Sequence, residues 1–265
     1  FANYYLEQMR IAATAAGRRL LHYYDIHWYP EATSGGIRVT TEDTSAGVAS
    51  VRMQSVRSLW DPTYTEPSWL TTVWPGPIQY IPQALTSVAT YYPGTDLSIS
   101  EYNWGGSTHI SGGIAQADVL GVLGRYNVAG CFWQLAGGSQ NYIKAGFLLY
   151  RNYDGAGAKY ADTNVRCTSS NIVATSTYAA VDSGVPTRMT LIMLNKDAAQ
   201  TVNAAVTISP YAGTITGIQH WRFTSASATI GSVAPPVPSG AAFTAVLNPL
   251  TANLFVLTLS LPAAA

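Results

Sequence analysis

The sequence is short of charged residues. Only 11% of its 265 residues are charged, and 14 basic residues balance 14 acidic ones, whereas an average soluble domain has about 25% charged residues. A net charge of zero argues against a nucleic-acid partner or an anionic membrane surface, since both require a basic face. No apolar run reaches the roughly 18 residues that a membrane-spanning helix needs. We therefore expect neither a nucleic-acid nor a membrane partner.

Cysteine is nearly absent, and so are the motifs of several enzyme classes. Cys131 and Cys167 are the only thiols, and two buried free thiols are favoured over one disulfide. The sequence has no phosphate-binding loop, no Gly-x-Ser-x-Gly, no Cys-x-x-Cys and no His-x-x-x-His. The glycine-rich stretch 154–162 lacks the acidic spacing of a calcium loop. We expect no required cofactor or metal, and a structural calcium at Asp154 or Asp162 remains an alternative.

Aromatic side chains, in contrast, are abundant. The chain has 17 Tyr and 7 Trp, so it can hydrogen-bond through neutral groups and stack through rings. These properties suit a neutral polar ligand such as a carbohydrate, although a well-packed core would use the same residues. Few lysines, together with many Tyr, Trp, Thr and Ser residues, favour a secreted, extracellular protein.

Residues 1–150 are predicted to alternate helices with strands. The predicted order is a helix at 1–16, a strand before Pro30, an irregular stretch at 31–79, a helix at 81–92, a strand at 96–103, a helix at 113–126, a buried strand ending near Trp133 and a helix at 142–153. Repeated crossovers of this kind predict a parallel sheet. Glu31, Glu101 and Trp133 fall at or just past strand ends, which form the active face of a (β/α) barrel. An irregular stretch as long as 31–79 is usually functional.

Residues 151–265 are predicted to form a β-sandwich domain. A loop at 154–163 is followed by short alternating strands, which are separated by turns such as Ser-Gly-Val-Pro-Thr. This pattern is typical of a sandwich. The expected fold is therefore α/β followed by all-β, with the boundary near residue 150.

The stretch "SISEYNWGG", residues 98–106, ends a predicted strand on the carboxylate of Glu101. An acid at a strand end could be a nucleophile or base in a cleft, or only a solvated side chain before a turn. The segment "DIHWYPEA" brings His27 and Tyr29 to another strand end, where they could orient a carboxylate by hydrogen bonds or pack in the core. Cleavage of a glycosidic bond needs two carboxyl groups that flank the bond.

Several tryptophans are candidates for stacking on sugar rings. Trp60 and Trp69 lie in the long irregular stretch, and Trp133 ends the last strand of the first half. Trp28 and Trp104 adjoin His27 and Glu101 in sequence and are expected to extend the cleft wall. Solvent-facing rings suit the apolar faces of sugars, whereas rings that pack the loop on the sheet would have no such role.

Taken together, these segments resemble glycoside hydrolase family 44, the endoglucanases and xyloglucanases. The blocks that carry the resemblance occur in the family's order: "DIHWYPEA", "LWDPTYTEPSW", "SISEYNWGG", "ISGGIAQADVLG" and "YIKAGFLLYRNYDG". The resemblance implies a (β/α)₈ barrel with a β-sandwich and retaining hydrolysis of β-1,4-glucans. It implies that Glu101 is the nucleophile after the seventh strand, that His27 and Tyr29 end the sixth, and that Trp133 ends the eighth.

The sequence departs from the family at the second carboxylate. The family's acid/base lies in an Asn-Glu-Pro segment after the fourth strand, and no Asn-Glu-Pro occurs in this chain. This chain is therefore expected to contain the C-terminal part of the barrel, which is strands six to eight. The N-terminal segment of the same enzyme would come as a second polypeptide and supply the acid. Two alternatives are that Glu31 or Glu66 replaces this acid, and that the chain is a non-catalytic glucan-binding fragment.

Overall fold

The computed structural model describes residues 1–134 and 137–260, which form both helices and strands. The helices are α1 (Ala2–Ala16), α2 (Ala46–Ser55), α3 (Tyr80–Tyr91), α4 (Ile110–Tyr126) and α5 (Asn141–Arg151). The strands are β1 (Tyr23–Trp28), β2 (Thr33–Ser34), β3 (Ile37–Arg38), β4 (Asp96–Tyr102), β5 (Ala129–Phe132), β6 (Thr163–Val165), β7 (Thr175–Val181), β8 (Arg188–Asn195), β9 (Val202–Thr207), β10 (Ile215–Thr224), β11 (Ser227–Val233), β12 (Ala242–Leu247) and β13 (Thr251–Leu259).

Three strands of the first half form a parallel sheet in the order β1-β4-β5. Helices connect these strands, as a parallel arrangement requires. The helices α1 and α3 pack on each other around a small apolar cluster that includes Leu6 and Val88. Because all three strands run the same way, the side chains at their carboxyl ends meet at one edge, and Glu101 is among them.

The second half is built on a six-stranded antiparallel sheet in the order β11-β10-β13-β8-β7-β6. The pair β9–β12 shares one apolar cluster with one face of this sheet. The helix α4 packs on β7 and β13, and α5 packs on β11. Eight of the nine residues of β13 are buried, because apolar side chains cover both faces of the sheet at this strand.

The first half shares its main core with the antiparallel sheet. One cluster runs from Ile99 and Ile114 to Phe223 and Leu254. Buried polar contacts reinforce it, since the Tyr178 hydroxyl donates to Asp118 on α4 at 2.6 Å. The helix α5 ends at Arg151 and β6 begins at Thr163. Whether 1–150 and 151–265 are separate domains stays a prediction.

The stretch 31–79 is more regular than predicted. It contains the hairpin β2–β3, the helix α2 and 3-10 turns at Val56–Leu59 and Trp69–Thr72. The helix α2 has a buried stripe that includes Val48, Met53 and Arg52. An arginine in the middle of an apolar stripe conceals the helical period, which explains why the sequence pattern did not reveal α2.

The prediction of a buried strand before Trp133 is wrong in one respect. The strand β5 forms, but it is an edge of the parallel sheet, and residues 129–131 are exposed. Cys131 is accordingly exposed and Cys167 is half-buried, and both are free thiols. The free state is confirmed, whereas the expected burial of Cys131 is not. None of the helices in residues 1–134 and 137–260 has both the length and the apolar character that crossing a membrane requires.

Candidate active site

A β-bulge determines the direction of the Glu101 side chain. In the pairing of β1 with β4, Ile26 lies opposite Ile99 but His27 lies opposite Glu101, so Ser100 is an extra residue on β4. Strict alternation would send Ser100 and Glu101 to opposite faces. With the bulge, both side chains are within 3.3 Å of His27, and Tyr102 turns into the core. Bulges of this kind re-aim side chains and are common beside active sites.

Two side chains of the β1 end meet the Glu101 carboxylate. The Tyr29 hydroxyl donates to Oε2 at 3.1 Å, and Nδ1 of His27 lies 3.3 Å from the same oxygen. Burial, together with the hydrogen bond to Glu101, raises the pKa of Tyr29 to about 12. Tyr29 therefore remains a donor throughout the neutral range. The structure brings His27, Tyr29 and Glu101 together as the sequence predicted, and the Glu101 side chain is 31% exposed.

The loop after Glu101 is held by a buried cation that sequence reasoning missed. Arg52 is completely buried, and its guanidinium donates to the carbonyl of Trp104 at 2.9 Å and to Ser111 Oγ at 2.7 Å. It also donates to the carbonyls of Val39, Thr41 and Asp43. Burial lowers the pKa of Arg52 to about 10. Arg52 thus joins α2, the loop at 39–43, the loop after β4 and the start of α4.

Trp133 lies beside this loop with its indole accessible. The ring is 52% exposed. Its backbone is fixed on both sides, because its N–H donates to the Tyr102 carbonyl at 3.0 Å and its carbonyl accepts from the Asn103 side chain at 2.7 Å. Trp133 therefore follows β5 next to the segment that leaves Glu101, where an exposed ring could contact a ligand.

Trp69 is a second exposed tryptophan, and its indole is hydrogen-bonded to the carboxylate of Glu31. The Trp69 indole N–H donates to Glu31 Oε2 at 3.0 Å, while Arg38 forms an ion pair with Glu31 Oε1 at 2.6 Å. The Trp69 ring is 59% exposed. Glu31 follows the end of β1 by three residues, so this ring lies on the side of the sheet where the strands end.

Neither acid suggested as an in-chain replacement fits that role well. Glu66 is 1% exposed, and its carboxylate accepts from Ser58 Oγ and from the backbone N–H of Glu31. Burial raises the pKa of Glu66 above its usual value in spite of these hydrogen bonds. A carboxyl this enclosed cannot reach a ligand. Glu31 is occupied by Arg38 and Trp69, so its contacts serve to position the loop.

The prediction that Trp28 and Trp104 stack on sugar rings is wrong, whereas a stacking role for Trp60 stays a prediction. Trp28 and Trp104 are 8% and 2% exposed and belong to the main core. Trp28 packs on Tyr80 with ring centroids 4.4 Å apart, and the Trp104 indole donates to Ser55 Oγ. Trp60 packs against the same core under the Arg125 guanidinium. Core packing leaves no ring face of Trp28 or Trp104 for a ligand, whereas Trp60 is only half-buried.

The calcium alternative at the 154–162 loop is not supported by a ligand cluster. No group of three or more His, Cys, Asp or Glu side chains suited to a metal occurs in the part of the chain that the structure describes. The Asp154 carboxylate instead accepts from the backbone N–H groups of Ala156 and Ala158. Asp162 accepts from Ser183 and Thr163. Asp154 thus anchors its own turn, and Asp162 joins this loop to the turn at Ser183.

Several known proteins resemble this chain in both sequence and structure. A family profile described as glycoside hydrolase family 44 matches residues 1–32. Endoglucanase A of Paenibacillus lautus is 40% identical over 260 residues, which are 97% of this chain and 37% of that protein. A family 44 endoglucanase structure from Clostridium acetobutylium is 45% identical with a TM-score of 0.92, over 97% of this chain and 51% of that one. A Paenibacillus polymyxa xyloglucanase is 41% identical with a TM-score of 0.92, over 97% and 50%.

The resemblance to glycoside hydrolase family 44 is therefore confirmed along nearly the whole chain. The chain spans about half the length of these solved structures and 37% of the curated relative.

Proposed function

We propose that this chain, related to family 44 glycoside hydrolases, is the nucleophile-bearing part of a retaining endo-β-1,4-glucanase. The single observation that carries the proposal is the position of the Glu101 carboxylate at the end of a parallel strand. There Oε2 accepts a hydrogen bond from the Tyr29 hydroxyl at 3.1 Å, and Nδ1 of His27 lies 3.3 Å from the same oxygen. A glycosidase nucleophile must be ionised and fixed in direction, and two flanking donors support both requirements.

In the proposed reaction, Glu101 attacks the anomeric carbon and forms a glycosyl ester as the bond to the leaving sugar oxygen breaks. Both contacts reach Oε2, which leaves Oε1 as the attacking atom. A carboxylic acid about 5–5.5 Å away protonates the leaving oxygen. The same group, now a base, takes a proton from the water that cleaves the ester. Glu101 is then released as a carboxylate.

The proposed acid comes from the N-terminal segment of the same enzyme. Three parallel strands cannot close a barrel, and the exposed side of β5 is available for further strands. We assign β1, β4 and β5 to strands six to eight of a (β/α)₈ barrel and residues 151–265 to its β-sandwich. No cofactor is required in this scheme, since two carboxyl groups and water suffice.

The proposed substrate is a β-1,4-glucan chain outside the cell. The exposed rings of Trp69 and Trp133 suit the apolar faces of glucose units. The solved relatives include a protein named as a xyloglucanase and others named as endoglucanases, which supports a glucan backbone as the recognised part.

The test uses the complete enzyme, with this chain and its N-terminal segment together. Glu101→Gln should abolish release of reducing ends from a soluble β-1,4-glucan while glucan binding is retained. Glu7→Gln, which changes an exposed acid on α1, is the matched control and should remain active. A 2-deoxy-2-fluoro glycoside should label Glu101 covalently, as detected by peptide mass spectrometry. Full turnover by Glu101→Gln, or a label on another residue, would contradict the assignment.

A further inference from the structure

We propose that Asp25 is a positioning residue, which acts through Ser100 and His27 to hold the Glu101 nucleophile. This inference rests on the proposed function of Glu101. Asp25 lies on β1 two residues before His27, and both side chains face the same side of the parallel sheet as Ser98 and Ser100. A direct contact between Asp25 and a substrate is not part of the proposal.

The Asp25 carboxylate receives three hydrogen bonds from β4. Its Oδ1 accepts from Ser98 Oγ at 2.6 Å and from the Ser100 N–H at 3.1 Å, and its Oδ2 accepts from Ser100 Oγ at 2.5 Å. Burial works to raise the pKa of Asp25, but the hydrogen bonds from Ser100 and Ser98 outweigh it and lower the pKa. Asp25 is therefore an ionised anchor between the two strands.

The bulge at Ser100 makes this anchor effective. Ser100 has a single hydroxyl hydrogen, which it donates to Asp25, so its oxygen is free to accept from Nε2 of His27 at 3.3 Å. The same nitrogen lies 3.7 Å from Asp25 Oδ2. Nε2 of His27 therefore lies against two oxygens, one on Ser100 and one on Asp25.

The consequence is a histidine held between two carboxylates. Asp25 and Ser100 fix the ring at Nε2, and Nδ1 faces Glu101 Oε2 at 3.3 Å. The titratable groups that face His27 from the described elements are Asp25 and Glu101, and Tyr29 shares the Glu101 oxygen. The His27 side chain is half exposed, so without this second anchor the ring would be free to rotate away. In the proposed arrangement Nε2 stays against Ser100 and Asp25, which keeps Nδ1 directed at Glu101.

Four variants of the complete enzyme test the proposal. Asp25→Ala should lower kcat about 100-fold, as expected when a catalytic group is misplaced by about 1 Å, and should leave KM nearly unchanged. Ser100→Ala should lower kcat in the same way, whereas Ser100→Thr keeps the hydroxyl and should restore most of it. Asp96→Asn removes an exposed acid at the start of β4 and should behave as the wild type.

A spectroscopic readout separates positioning from general structural damage. With ¹⁵N-labelled histidine, the ring-nitrogen chemical shifts of His27 should be alike in the wild type and in Ser100→Thr. They should change in Asp25→Ala and in Ser100→Ala, because Nε2 loses a partner in both variants. Should Asp25→Ala fail to fold by circular dichroism, the two Ser100 variants decide the question alone.

The outcomes distinguish this inference from the proposed function. If Glu101→Gln is inactive but Asp25→Ala folds and keeps the wild-type kcat, the role of Asp25 is refuted and the nucleophile assignment stands. Equal losses in Ser100→Ala and Ser100→Thr would also refute the role, because the hydroxyl would then be irrelevant. If Glu101→Gln retains full turnover, the proposed function itself fails.

Discussion

Alanine at Gly105 should destabilise the protein well beyond the ordinary cost of replacing a turn glycine. Gly105 follows β4, the strand that carries Glu101, at φ +69°, and a Cβ there would lie 2.7 Å from the Thr40 carbonyl oxygen and closer still to Thr41. The backbone cannot yield easily, because the N–H of Gly106 donates to the Thr41 carbonyl at 3.0 Å. The substitution thus combines an unfavourable dihedral with overpacking.

Gly17 provides the matched control for this prediction. It has a similar φ of +62° after α1, but a Cβ there would meet no atom within 4 Å. Gly17→Ala should therefore cost only the left-handed penalty of about 1–2 kcal/mol. Gly105→Ala should cost about 2–5 kcal/mol, since overpacking adds about 1–3 kcal/mol.

The measurement is urea-induced unfolding of the complete enzyme and its two variants. The difference between the variants isolates the steric contact of the loop with residues 40–41, because the backbone dihedral is nearly the same in both. Equal losses of unfolding free energy would refute the reasoning. They would mean that the loop after Glu101 yields freely and is not clamped against the 39–43 loop.

Two further predictions concern tryptophan and a buried acid. Trp69→Ala should raise KM for a soluble β-glucan about threefold to tenfold with little change in kcat, whereas Trp104→Ala should destabilise the fold by about 3–5 kcal/mol; an unchanged KM in the first variant would favour a packing role. Burial alone would raise the pKa of Asp61, but hydrogen bonds from Thr63 and Arg57 lower it. A lowered pKa contributes stability above the ordinary pKa near 4, and this contribution disappears as the pH falls through the lowered value. Asp61→Asn should thus lose about 1.5–3 kcal/mol at pH 7 and match the wild type in strong acid, and a loss independent of pH in urea unfolding would contradict this.

Local patterns were sufficient for most of the regular elements. The apolar periods of α1 and α3 and the alternation in β4 are visible in the sequence because each buries one face or stripe. The order of strand and helix then implies a parallel sheet, and a parallel sheet implies that His27, Tyr29 and Glu101 meet at one edge.

The burial of individual aromatic and charged side chains could not be predicted in this way. Trp69 and Trp104 each lie three residues after a glutamate and directly after a polar residue, yet one is exposed and the other is in the core. Arg52 resembles a surface residue in sequence, but five backbone and hydroxyl oxygens from distant segments enclose it. These partners are 9–59 positions away along the chain, so only the assembled fold can provide them.

The sequence by itself determined that a carboxylate ends a strand of a parallel sheet beside a histidine and a tyrosine. Only the tertiary structure decided the direction in which that carboxylate points. By simple alternation, Glu101 would face away from Ser98 and Ser100. The pairing of β4 with β1 inserts Ser100 as a bulge, and both residues then face His27. The physical reason is that register depends on how two strands fit together, and a one-residue slip reverses every side chain beyond it.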